Sequence, residues 1–93
     1  MRLTKPPVEL LLEIDEGYRS ALLSRSGIWL PVLHTERSGL TFTVMHGGDD
    51  RVVIVYGGCQ RETVRTQDTA PLEGQRVVVG REPECVDFYR EIA

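Results

Sequence analysis

A chain of 93 residues, 41% apolar and 27% charged, has the composition of one globular domain and not of a disordered segment. None of its apolar runs approaches the ~20 residues that a membrane-spanning helix needs. A net charge of −3, from 11 basic and 14 acidic side chains, argues against general binding to a nucleic-acid backbone, which calls for a basic face.

The first residues, Met1 to Pro7, are basic, but Glu9, Glu13 and Asp15 follow closely and leave no signal-peptide core. The expected location is therefore cytoplasmic, with no membrane partner. Ten of the basic residues are Arg and one is Lys, Asn is absent, and Val outnumbers Ile. That bias reads as GC-rich coding of a bacterial type, and it lowers the weight that any single arginine carries.

Residues 7–24 are predicted to be an amphipathic helix. Leu10, Leu11, Ile14, Tyr18, Ala21 and Leu22 follow the 3.6-residue period. Pro6 and Pro7 suit its start, and Glu9 in the first turn suits its dipole. Gly17 is its weak point, costing about 1 kcal/mol against Ala in a helix interior. Residues 28–34 form the first strand candidate, and Pro31 confines that strand to an edge. A turn is expected over Glu36–Gly39.

A β-hairpin over 40–56 is the clearest local signal. Leu40–His46 and Arg51–Tyr56 are β-branched and aromatic runs flanking Gly47-Gly48-Asp49-Asp50. A tight turn at Gly48-Asp49 places His46 opposite Arg51, so that Leu40, Phe42, Val44, Val53 and Val55 share one face. That face is expected to pack on Leu11, Ile14, Tyr18 and Leu22. The other face then carries Thr43, Met45, Val52, Ile54 and Tyr56, a half-apolar surface suited to binding a second protein or a second copy of the chain.

A polar strand over 61–66, a loop over 67–74, a strand at 76–79 and a short helix opened by Pro83 complete the order. The fold class that follows is α+β in two layers: an N-terminal helix, a mostly antiparallel sheet of four to five strands, and a short C-terminal helix.

Chemistry-bearing patterns are sparse. His34, His46, Cys59 and Cys85 stand singly, without the close pairing of zinc ligands, so no metal or cofactor is expected. Cys59 lies near Arg61 but has no evident base, and both cysteines are expected to be reduced. Catalysis by Cys59 or a histidine ranks last among the readings.

Arg61 and Arg65 alternate onto one strand face, and with Arg76 they make a candidate site for a small anion or nucleotide. Their spacing resembles the Arg-x-x-x-Arg of PilZ domains, which bind cyclic dinucleotides. The Asp/Asn-x-Ser-x-x-Gly turn that completes that motif is missing downstream. The favoured reading is a non-catalytic interaction or regulatory module that binds itself or another protein.

Overall fold

The computed structural model describes residues 5–24 and 32–92, without the side chains of residues 22–24. The elements run α1 (Val8–Ser24), β1 (Val32–Arg37), β2 (Leu40–His46), β3 (Val52–Tyr56), β4 (Gln60–Thr66), β5 (Arg76–Val78) and α2 (Glu82–Ile92). The strands form one antiparallel meander in chain order, β1-β2-β3-β4-β5. Both helices join the same buried cluster with one face of this sheet, which gives the α+β, two-layer arrangement that the sequence predicts. No described helix is long and apolar enough to cross a membrane.

Helix α1 starts where the prolines require. The amides of Leu10 and Leu11 both donate to the Pro7 carbonyl, at 3.1 and 3.3 Å. Val8, Leu11, Leu12, Ile14 and Tyr18 then fall on the buried side at helical spacing. Gly17 has open space around its Cα, so no close packing compensates for its low helix propensity. Helix α2 carries Pro83 in its first turn, where the missing N–H is harmless, and buries Cys85 against β5, whose Val78 amide donates to the thiol at 3.4 Å.

Strand β1 differs from its predicted extent. It includes Glu36 and Arg37, and the turn shrinks to Ser38-Gly39, both at positive φ. Residues 28–31, including Pro31, lie outside the described residues.

The hairpin is present, but its register is one residue away from the predicted one. His46 pairs with Val52, Met45 with Val53, Val44 with Ile54 and Thr43 with Val55. The loop is three residues long, Gly48-Asp49-Asp50, closed by Gly47 N–H to Arg51 O at 2.9 Å and Arg51 N–H to Gly48 O at 2.8 Å. Gly48 and Asp49 take positive φ, 98° and 52°, which glycine and aspartate tolerate better than most residues.

One additional loop residue inverts every side chain of β3. Val52, Ile54 and Tyr56 lie in the core, where Tyr56 meets the Phe42 ring at 5.7 Å between centroids. Val53 and Val55, expected inside, are on the outer face. Apolar area favours this register, since Val, Ile and Tyr together remove more surface from water than two valines, and the placement of Asp50, described below, fixes it. Phe42 and Val44 are fully buried as predicted, and Leu11, Ile14 and Tyr18 are buried with them. The Leu22 side chain lies outside the described residues.

This register makes a sharp prediction. Ile54→Asp should abolish cooperative folding, because a carboxylate at a fully buried site costs more than the ~5–15 kcal/mol that stabilises a whole domain, or comes close to it. Val53→Asp should retain a folded protein with a loss of about 1 kcal/mol or less. Thermal denaturation followed by circular dichroism distinguishes the two; the opposite order of tolerance would restore the two-residue turn.

Candidate functional site

The three arginines of the predicted anion site do not come together. Arg61 and Arg65 point outward from β4, whereas Arg76 lies opposite Thr66 on the helix-covered face of β5. Arg61 and Arg65 are themselves about 13 Å apart along the strand, too far to grip one small anion side by side.

Arg76 is fully engaged inside the protein. Its Nε and Nη2 donate to the two oxygens of Asp15, at 3.1 and 2.8 Å. Nη1 donates to the Asp50 carbonyl at 2.7 Å and to Thr66 Oγ1 at 3.1 Å, and Nη2 also reaches the Val64 carbonyl at 3.3 Å. A guanidinium has five N–H donors, and these contacts use all of them. Asp15 is completely buried on α1 and also accepts from Arg19 Nε at 3.0 Å. The Tyr89 hydroxyl of α2 donates to the Arg76 carbonyl at 2.6 Å. One residue on a short strand thus ties α1, α2, β4 and the β2–β3 loop.

Asp50 completes this cluster. Its Oδ2 accepts from the Thr66 amide at 3.1 Å. Hydrogen bonds from Thr66 hold the Asp50 carboxyl below its usual range, with the Arg76 charge adding to the effect. A 320 Å³ hollow opens beside Arg76, Asp50 and His46. The Arg76 side of it offers no free donor to a ligand.

A second polar cluster closes the other end of the helix-covered face. The Tyr56 hydroxyl donates to Glu62 Oε2 at 2.8 Å, and Arg81 Nη1 lies 3.6 Å from the same oxygen. Arg81 also pairs with Glu84 at 2.6 Å. Burial, then the hydrogen bond to Glu62 and its negative charge, push the Tyr56 phenol up to about 12. Glu62 is buried although it sits in the most polar strand.

The other chemistry-bearing residues are dispersed. Cys59 is exposed in the β3–β4 turn, Cys85 is buried on α2, and both are free thiols. Burial pushes the Cys85 thiol up, away from the reactive thiolate. His34 Nδ1 lies 3.2 Å from Thr43 Oγ1, and His46 Nε2 lies 2.9 Å from the Asp49 carbonyl. Among the described residues no group of three or more His, Cys, Asp or Glu side chains could hold a metal ion.

What remains is the outer face of the sheet. The pairings set two rows across four strands: Val32–Met45–Val53–Thr63 and His34–Thr43–Val55–Arg61. Of the predicted association residues, Thr43 and Met45 lie on this face; Val52, Ile54 and Tyr56 do not. Val53 and Val55 take their place. Val53 is half-buried against the hairpin turn, where a Cβ on Gly47 would lie 2.7 Å from Val53 Cγ2, so glycine at 47 is what lets the valine sit there. Val32, at 39% exposure, is among the most exposed large apolar side chains described. Both helices pack on the opposite face, and among the described residues no helix covers this one.

No protein-family model matches the chain, and no curated protein or solved structure matches it.

The Arg76 cluster predicts a large effect from a single change. Arg76→Met leaves Asp15 buried without its bidentate partner and should cost about 3–5 kcal/mol in urea denaturation. A loss below about 1 kcal/mol would mean that the pair is not formed in the native protein.

Proposed function

We propose that this chain is a non-catalytic interaction module that associates with a second copy of itself through the outer face of its sheet. The observation that supports this reading most is the asymmetry of the two faces. On the helix-covered face the charged groups pair with one another at Arg76 and Arg81. The outer face carries Val32, Met45, Val53 and Val55 in adjoining positions, ringed by threonines and charges. An apolar centre with a polar rim is the anatomy of a protein-binding surface, and Met adapts readily to a partner. Small domains bury limited core of their own, and two-fold dimers are the commonest soluble assembly. A reducing compartment such as the cytoplasm belongs to the same reading, supported by the exposed free thiol of Cys59.

Sedimentation velocity at about 100 μM, far above a roughly micromolar Kd, tests the proposal. The unmutated protein should sediment as a dimer and Val53→Asp as a folded monomer, since that change places an unpaired charge at the centre of the face. A monomeric unmutated protein would refute self-association.

A further inference from the structure

The outer face is polar in the electrical sense as well as in composition. Its β1 flank carries the exposed Glu36, opposite Thr41 on β2. Its β4 flank carries the exposed Arg61, in the row His34–Thr43–Val55–Arg61, and Arg65 further along. Neither Arg61 nor Arg65 forms an ion pair with another described residue. The apolar residues Met45, Val53 and Val55 lie between the flanks, on β2 and β3.

Two sheets that pack face to face can be related by a two-fold axis that runs along the strands or across them. Packed sheets lie about 10 Å apart with strands roughly aligned, so either choice is sterically ordinary. An axis across the strands stacks β4 on β4 and sets Arg61 and Arg65 against the same two arginines of the other copy. An axis along the strands, running between β2 and β3, lays β1 of one copy over β4 of the other. Glu36 then comes within side-chain reach of Arg61 of the second copy, and symmetry makes that contact twice. It also brings Arg51, exposed at the turn end of β3, toward its own copy.

We infer that the chain forms a homodimer by sheet-on-sheet packing about a two-fold axis parallel to the strands, held apolar at Met45, Val53 and Val55 and registered by reciprocal Glu36–Arg61 pairs. This rests on the proposed self-association and adds its geometry: one operator sets the β4 arginines against each other, and the other brings the β1 glutamate of each copy to the β4 arginine of its mate.

Charge reversal tests the geometry separately from the association. Glu36→Arg and Arg61→Glu are exposed changes away from the core, and unchanged melting curves establish that each variant folds. In sedimentation each variant alone should self-associate on the order of tenfold more weakly than the unmutated protein. A 1:1 mixture should recover dimer, because the two arginines of one variant then face the two glutamates of the other. Failure of the mixture to recover dimer, with the unmutated protein dimeric and Val53→Asp monomeric, would overturn the axis while leaving the outer face as the interface. A monomeric unmutated protein would overturn both.

Discussion

The structure depends on the way Arg76 is held. Its guanidinium grips the buried carboxylate of Asp15 with two hydrogen bonds and reaches the Asp50 carbonyl with a third. An uncompensated charge at Asp15, which has no exposed surface, would be very costly, so the pair obliges α1 to sit over β5. Through the Tyr89 hydroxyl, the Arg76 backbone also fixes the last turns of α2. Such a pair contributes more to specifying one arrangement than to net stability, since desolvation offsets much of its attraction.

The reach to Asp50 carries this constraint into the sheet. Asp50 is the residue that lengthens the β2–β3 loop from two residues to three. Its carbonyl is held by Arg76 and its carboxylate by the Thr66 amide. With Asp50 placed in the loop and not in the strand, β3 shifts by one position and its alternation is set. Ile54 and Tyr56 go to the core; Val53 and Val55 go to the outer face. The composition of the outer face, and so the proposed association, follows from a contact made by a residue that never touches that face.

This explains what the sequence made legible and what it did not. Helix α1 could be read because Leu11, Ile14 and Tyr18 repeat at its period, and α2 because Pro83 marks its start. The hairpin was evident from two β-branched runs around glycines and aspartates. Its register was not, since Gly47-Gly48-Asp49-Asp50 accommodates a two-residue or a three-residue loop and the deciding partner is distant in the chain. Arg76 looked like any other arginine in an arginine-rich sequence. One signal was available: Asp15 falls on the buried stripe between Leu11 and Tyr18, and a carboxylate there requires a buried cation. Glu62 gave no such signal, because its strand neighbours Arg61, Thr63 and Arg65 are those of a solvated strand, and its partners Tyr56 and Arg81 come from other elements.

Ion pairs close the helix-covered side, and the proposed association uses the outer side. Isotope-filtered nuclear Overhauser spectroscopy on an equimolar mixture of carbon-13-labelled and unlabelled protein tests it directly, because it reports only contacts between copies. The account predicts intermolecular cross-peaks from the methyl groups of Met45, Val53 and Val55. Intermolecular cross-peaks from Leu12, Phe88 or Ile92 of the helices, with none from the three sheet residues, would contradict it.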